Sequence, residues 1–241
     1  MLFADYVYGA LCAPDKGLFV WGSVFPDIGY FGKKRLFSDR LHEDRGVVFL
    51  KALFNKAESE EERAFLLGWA SHVVLDQMGH PRWTHCLMRK RGACVEDDEL
   101  HRRIEWGLGR VSCARVKAFS LLSFEPPGRR LFRWIEAEFE RFFGINLGGF
   151  VERDFCATVR NLKELIPLSF KLTPVFKPFS AVAGVIPAKV VEKAYPVIFS
   201  QKASLEEQNL AFEVFKASGD YFRRVLDSGL DALREESLDG I

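Results

Sequence analysis

Apolar side chains recur along most of the chain at the spacing of helices rather than of strands. Over 39–57 they repeat at roughly helical intervals, and a second apolar run at 64–70 follows a capping box formed by Ser59 and Glu62. Pro81 predicts the end of the helix that this box begins. No pair of alternating apolar and polar runs indicates strands, so the pattern predicts an all-α fold.

The C-terminal part of the chain carries the same signals, with one exception. Helices are expected over 97–119, 129–143, 152–165 and 204–236. Ser204 and Glu207 form a second capping box at the start of the last of these helices. Residues 168–200 lack these helix signals, because prolines interrupt an apolar segment that also carries lysines. We favour an interpretation in which this Pro-rich apolar segment wraps over the helical core, and docking on a lipid surface is the alternative.

The composition is that of a globular protein without a large charge imbalance. Of the 241 residues, 48% are hydrophobic and 28% are charged, which excludes a disordered or collagen-like chain. The 34 Lys and Arg residues nearly balance the 33 Asp and Glu residues, so that the formal net charge is +1. This balance argues against an extended nucleic-acid track.

Cysteine usage and the first residues bear on the compartment. The five cysteines include no C-x-x-C pair, which argues against a disulfide framework and against a thiolate zinc site. Asp5 interrupts the apolar residues at the start, and no basic residue precedes them, so we expect no signal peptide. No run of about 18 uncharged apolar residues predicts a membrane span. We therefore expect a cytoplasmic protein, with peripheral attachment to a membrane as the alternative.

Histidines are confined to the N-terminal part of the chain, since none of the five lies in the C-terminal 140 residues. His72, Asp76 and His80 are spaced i, i+4, i+8, which stacks three metal-binding side chains on one helix face. His101 and Glu105 repeat the i, i+4 spacing and would supply a second wall. The sequence therefore predicts a metal site between two packed helices.

This set of side chains suits a borderline divalent cation. Neutral imidazole nitrogens and carboxylate oxygens bind Zn²⁺, and an open coordination position keeps a water that loses a proton near neutral pH. Asp76 can use both oxygens and so bridge two ions about 3.5–4 Å apart, an arrangement that serves phosphoester hydrolysis. Helix pairing alone could also produce these spacings. An aspartate buried between two imidazoles needs a cation or a proton, however, which favours the metal interpretation.

Three short motifs follow one another within about the first 110 residues. They are G-S-V-F-P-D at 22–27 with His42 after it, G-W-A-S-H-V-V-L-D at 68–76 with a His-Pro dipeptide after it, and H-x-x-x-E at 101–105. In this order they resemble the zinc-dependent phospholipase C family, whose fold the S1/P1-type nucleases share. The resemblance implies a multi-helix bundle with the metal site between helices.

Position by position, the resemblance implies two zinc sites. One ion would be surrounded by Asp27, His42, His72 and Asp76. The other would be surrounded by His101, Glu105 and one further histidine, either His80 or His85. We prefer His80, because it shares a helix face with His72 and Asp76. The resemblance also implies a catalytic role for Asp27, as a zinc ligand or as the base for the attacking water.

The N-terminal residues depart from the family pattern. Family enzymes build a third zinc site from the mature N-terminal amine and carbonyl together with an early histidine. Here no histidine precedes His42, so a third ion would need an oxygen ligand such as Asp5. We therefore expect two zinc ions.

The ligand set and the resemblance together predict a zinc-dependent phosphodiesterase of phospholipase C type, in which a metal-bound hydroxide attacks a phosphoester. The alternatives are a related nuclease or phosphomonoesterase, or a catalytically degenerate metal-binding protein that contacts a partner or a membrane. The expected partner is a phosphoester substrate, for example a phospholipid at a membrane surface; the sequence does not indicate the oligomeric state. We expect one domain over 1–241, with a metal-site half at 1–110 and a C-terminal helical half at 111–241.

Overall fold

The computed structural model describes residues 2–9, 15–31, 34–90, 92, 124–155, 157, 204–236 and 238. Every regular element in these residues is helical, which confirms the all-α class. The helix expected over 97–119, most of the one expected over 152–165 and the Pro-rich apolar segment 168–200 lie outside the described residues. The single domain over 1–241 therefore stays a prediction.

The described helices follow one another as short and long segments. They are α1 (Leu2–Tyr8), α2 (Lys16–Gly22), α3 (Ile28–Phe31), α4 (Arg35–His42), α5 (Asp44–Lys56), α6 (Glu60–Gly79), α7 (His85–Lys90), α8 (Arg129–Phe143) and α9 (Leu205–Ser228). Shorter turns accompany them, namely 3-10 turns at Phe25–Asp27 and Leu230–Ala232 and a π-helical turn at His80–Thr84. Residues 150–155 are also helical.

The two longest described helices begin where their capping boxes predict. At the start of α6, the Glu62 N–H donates to Ser59 Oγ, and the Ser59 N–H donates to the Glu62 carboxylate. Ser204 and Glu207 exchange the same pair of hydrogen bonds at the start of α9. The amphipathic helix predicted at 129–143 is α8, and it ends at Gly144, whose φ of 70° lies in the left-handed region. Local sequence signals thus determine these helix ends.

The helix expected over 39–57 is interrupted at Glu43. Extended backbone at this residue, with φ −73° and ψ 166°, separates α4 from α5. Gly46 then approaches the Leu41 carbonyl so closely that an added Cβ would lie 2.2 Å from its oxygen. The periodicity of apolar residues does not report such a tight turn, because both helices continue the same apolar pattern. As a result, His42 is the last residue of a helix rather than an interior one.

Two further helix ends differ in part from the prediction. The α-helix α6 does end just before Pro81, at Gly79, but the helical path continues through the π-helical turn into α7. Pro81 is tolerated here because it stands in the first turn of the π-helical segment. Backbone N–H groups in a first turn have no acceptor within their own segment, so the missing N–H of proline costs no hydrogen bond there. Helix α9 ends at Ser228 rather than near 236, because Gly229 adopts a φ of 83°.

Aromatic side chains and close helix packing hold the site's scaffold. Helices α2 and α6 approach each other through Gly22 and Gly68, since a Cβ on either would lie 1.9 Å from a backbone oxygen of the other helix. Phe25 is fully buried and packs against Trp69, with ring centroids 5.2 Å apart. Because Phe25 anchors the 3-10 turn that ends at Asp27, this packing also places the Asp27 carboxylate beside α6.

Candidate metal centre

Three segments of the chain meet at a cluster of polar side chains beside the apolar core. The 3-10 turn supplies Asp27, the end of α4 supplies His42, and α6 supplies His72 and Asp76. Asp27, His42 and His72 each offer one ligand atom, and these atoms lie within 4.8 Å of one another. The residues predicted to surround one ion are thus neighbours in space, although the first and the last are 49 positions apart in sequence.

The four side chains direct their terminal atoms at the same small volume. Nε2 of His72 lies 2.9 Å from Oδ2 of Asp76 and 3.9 Å from Oδ1 of Asp27. Nε2 of His42 lies 3.3 Å from Oδ1 of Asp27 and 3.7 Å from Oδ2 of Asp76. The two Nε2 atoms are 3.3 Å from each other. Two nitrogens and two carboxylate oxygens therefore converge.

Backbone carbonyls determine which ring nitrogen of each histidine faces this volume. Nδ1 of His42 lies 2.8 Å from the carbonyl oxygen of Ser38, one turn earlier on α4. Nδ1 of His72 lies 3.1 Å from the carbonyl oxygen of Ser23. A carbonyl oxygen only accepts, so each Nδ1 carries the hydrogen and donates it. In the neutral rings, Nε2 then presents a lone pair to the centre, as in metal-binding histidines.

These convergent atoms are all acceptors, so they require a positive charge among them. Burial by itself would lower the pKa of His42, but the hydrogen bond and charge of Asp27, with the charge of Asp76, raise it to about 9. Burial and the same two carboxylates act on His72 in the same way, and its pKa is also raised. Burial would raise the pKa of Asp76, but the charges of His72, His80 and His42 lower it to about 2. A divalent cation would supply the same positive charge and displace the ring protons.

His80 lies on the opposite side of Asp76 from the other two histidines. Nε2 of His80 is 3.9 Å from Oδ1 of Asp76, whereas His72 and His42 face Oδ2. Nδ1 of His80 donates to the carbonyl oxygen of Leu238, 2.9 Å away. Asp76 thus presents Oδ2 to His72 and His42 and Oδ1 to His80.

The π-helical turn after α6 brings His85 next to His80. In this wider turn the His85 N–H donates to the His80 carbonyl, five residues earlier, so the two side chains project on the same side. Their ring centroids are 5.9 Å apart with the planes inclined by 30°, and both residues are buried. Of these two alternative ligands, His80 is the one that the structure places beside Asp76. No simple spacing rule predicts this turn.

The two other predicted ligands, His101 and Glu105, lie outside the described residues. The full set of ligands on the His80 side therefore stays a prediction, as does the number of ions. In the part of the chain that the structure describes, the group with the geometry of a metal site is Asp27, His42 and His72.

Sequence reasoning missed the residues that orient the histidines. Ser38 has two functions, because its carbonyl accepts from His42 and its Oγ accepts from the Gly29 N–H at 2.8 Å, which ties α3 to α4. The Ser23 carbonyl orients His72 from another segment. The position of Ser38, four residues before His42 on the same helix, could have indicated the acceptor for His42. The acceptor for His72 lies in a distant segment, and no sequence pattern indicates it.

Comparison of the chain with models of known protein families gave a match. A family model described as zinc dependent phospholipase C matches residues 14–145, which is more than half of the 241 residues and includes every predicted metal ligand from Asp27 to Glu105. This match confirms the resemblance that the motifs indicated. Comparison with curated proteins and with solved structures gave no significant match. Among the described residues, no helix combines the length and the apolar character needed to span a membrane.

Proposed function

Because the chain belongs to the zinc-dependent phospholipase C family, we propose that it is a zinc-dependent hydrolase that cleaves a phosphoester bond. One observation carries this proposal: His42, His72, Asp27 and Asp76 converge, and backbone carbonyls hold both imidazoles with Nε2 towards the centre. Nitrogen and oxygen ligands of this kind fit zinc, and neutral imidazole with a carboxylate is the donor set of many hydrolytic zinc sites.

Each residue of the centre has a distinct part in binding. His42 and His72 would hold one zinc ion through Nε2, and Asp76 would share its two oxygens between that ion and a second one on the His80 side. When bound, zinc polarises a phosphoryl oxygen and lowers the pKa of water. His42, His72 and Asp76 are largely shielded from water, which strengthens the electrostatic interactions among them.

Asp27 is the member of the group most open to solvent. Its side chain is 37% exposed, compared with 6% for His42, 10% for His72 and 14% for Asp76. A carboxylate at the mouth of the site can reach both the substrate and the attacking water. We assign Asp27 a place beside the ion held by His42 and His72, from which its carboxylate would orient this water and accept its proton.

A phosphodiesterase assay tests the proposal. The wild-type chain should hydrolyse a chromogenic phosphodiester such as bis(p-nitrophenyl) phosphate, lose this activity with a chelator and regain it with zinc. Asp76→Asn should lower kcat/KM by about 100-fold or more, because it removes a charged ligand oxygen. The matched control is Asp39→Asn on the exposed face of α4, which should leave activity unchanged. Zinc binding without turnover on phosphodiesters, phosphomonoesters or nucleic acid would contradict the proposal and indicate a catalytically degenerate member.

A further inference from the structure

The C-terminal segment, defined here as residues 230–236 and 238, packs against the helices that carry the metal centre. Its three leucines, Leu230, Leu233 and Leu238, are all buried. Side chains of three different helices bind its backbone: Lys51 of α5 donates to the Asp231 carbonyl, Gln77 of α6 donates to the Arg234 carbonyl, and Tyr221 of α9 accepts from the Arg234 N–H. The segment is therefore docked along its length.

Leu238 connects this segment to two histidines of the centre. Its N–H donates to the backbone carbonyl of His42 at 2.8 Å. Its carbonyl oxygen accepts from Nδ1 of His80 at 2.9 Å. The Leu238 side chain has no exposed surface, so the packing that buries it also holds its two backbone groups in place. A single residue thus links the end of α4 to the imidazole of His80.

His80 differs from the other two histidines in the origin of its acceptor. The acceptors for His42 and His72 are Ser38, four positions away, and Ser23, 49 positions away, both inside the stretch that matches the family. The acceptor for His80 is 158 positions away and outside that stretch. The orientation of His80 therefore depends on whether the C-terminal segment is docked.

We propose that Leu238 is a positioning residue for zinc on the His80 side of Asp76. The docked C-terminal segment holds the Nδ1 hydrogen of His80 and thereby directs Nε2 at Oδ1 of Asp76. When the segment is displaced, the His80 ring loses this restraint and the second ion is bound more weakly, while the ion at His42 and His72 is retained. The inference rests on the proposed function, since it presupposes that zinc occupies both sides of Asp76.

The experiment compares two buried leucines of the same segment in the full chain. Zinc would be titrated into metal-free wild type, Leu238→Ala and Leu233→Ala against a chromophoric chelator. Wild type should bind two equivalents in two steps. Leu238→Ala should keep the first step and weaken the second by about 10-fold or more, the usual effect of losing a ligand's hydrogen-bond partner. Leu233→Ala removes a buried leucine side chain five residues before the carbonyl that His80 contacts, so it should keep the first step and weaken the second clearly less than Leu238→Ala does.

A double-mutant cycle separates positioning from general loosening. If Leu238 acts through His80, the double variant His80→Ala/Leu238→Ala should bind zinc as His80→Ala alone does, because the ring that Leu238 orients is already gone. Equal weakening of the second step by Leu238→Ala and Leu233→Ala would overturn the inference, as would full additivity in the cycle.

The wild-type titration distinguishes a failure of this inference from a failure of the proposed function. Wild type that binds no zinc contradicts the proposed function itself. If wild type binds a single equivalent, there is no second ion for Leu238 to act on, and the inference is overturned while zinc binding at His42 and His72 stands. Two equivalents in both wild type and Leu238→Ala, with equal affinities, overturn only the role of Leu238.

Discussion

The two sides of Asp76 are built from different parts of the chain. On the Oδ2 side, the ligands and their hydrogen-bond acceptors all come from 23–76, and packing of Phe25 and Trp69 holds the turn that carries Asp27. On the Oδ1 side, His80 takes its acceptor from Leu238, at the far end of the described chain. The imidazoles of the first side are oriented from within 23–76, whereas the imidazole of His80 is oriented by a long-range contact; Leu238 reaches the first side at the backbone carbonyl of His42.

This difference indicates how the geometry of each side should respond to mutation or local unfolding. A compact set of neighbouring segments keeps its geometry as long as the helices around it are folded. A ligand oriented by a separately docked segment can lose its orientation while the rest of the protein stays folded, because local opening of one segment costs less free energy than unfolding the core. The predictions below test whether the two sides behave in this way, beginning with the largest effect.

Asp76→Asn should affect both sides at once. The amide keeps the shape of the side chain but lacks the negative charge that both groups of imidazoles face, so zinc affinity should fall by about 100-fold or more. Thermal melts with and without chelator measure the consequence. Wild type should melt at a lower temperature with chelator, whereas the variant should show little difference between the two conditions. A variant with wild-type zinc content and the same chelator response would show that Asp76 is not shared between ions.

Replacing one histidine on each side of Asp76 should show that each side contributes to a different zinc-binding step. His72→Ala removes a ligand of the Oδ2 side and should weaken the tighter zinc-binding step by about 10- to 100-fold. His80→Ala should leave that step unchanged and weaken only the other. Competition with a chromophoric chelator measures both steps. His85→Ala is the matched control for His80→Ala, since both rings are buried in the same π-helical region, and it should have the smaller effect.

Metal-free protein should lose stability as the pH rises from neutral to alkaline values. The pKa of His42 is raised from 6.5 to about 9, so the protonated ring stabilises the folded state fully below about pH 6.5 and stops doing so as the pH passes 9. We expect a decrease in the free energy of unfolding on the order of 1–3 kcal/mol between pH 6 and 9.5. The pKa of Asp76, lowered to about 2, adds a loss of stability only in strong acid.

Urea unfolding in the presence of chelator at pH 6, 7.5 and 9.5 measures this dependence. His42→Gln, which cannot take up the proton, should flatten the alkaline part of the curve. Zinc binding should show the opposite dependence and tighten as the pH rises, because the ion competes with protons for Nε2. A metal-free stability that is constant from pH 6 to 9.5 would contradict the electrostatic account of the Oδ2 side.

Ser38→Ala should have the smallest effect of the series. The change removes the Oγ that accepts from the Gly29 N–H but keeps the backbone carbonyl that orients His42. Leaving a buried N–H without this acceptor should cost about 1–2 kcal/mol in the free energy of unfolding. Zinc stoichiometry should stay at the wild-type value. Loss of zinc in a folded Ser38→Ala variant would show that the side chain matters more for the centre than the carbonyl does.

Sequence patterns could predict the parts of the site that one helix determines. His72, Asp76 and His80 face the same way because the helix period places them so, and the capping box at Ser59 sets where that helix begins. The break at Glu43 was not predictable, because it depends on a close backbone approach and not on the apolar pattern.

The orientation of His72 and His80 could not be predicted for a different reason. Their acceptors are backbone carbonyls, which every residue has, so the identities of Ser23 and Leu238 carry no signal for this contact. The π-helical turn at His80–Thr84 depends likewise on how the chain passes Pro81 between two packed helices, and local spacing does not encode it.

A crystal of the zinc-loaded protein, measured on both sides of the zinc absorption edge, tests the central claim most directly. The account predicts two anomalous peaks flanking Asp76. One should lie within about 2.0–2.2 Å of His42 Nε2, His72 Nε2 and an Asp76 oxygen, and the other within the same distance of His80 Nε2 and the second Asp76 oxygen. Zinc peaks that all lie away from Asp76, or no zinc peak at all in a folded and loaded crystal, would contradict it.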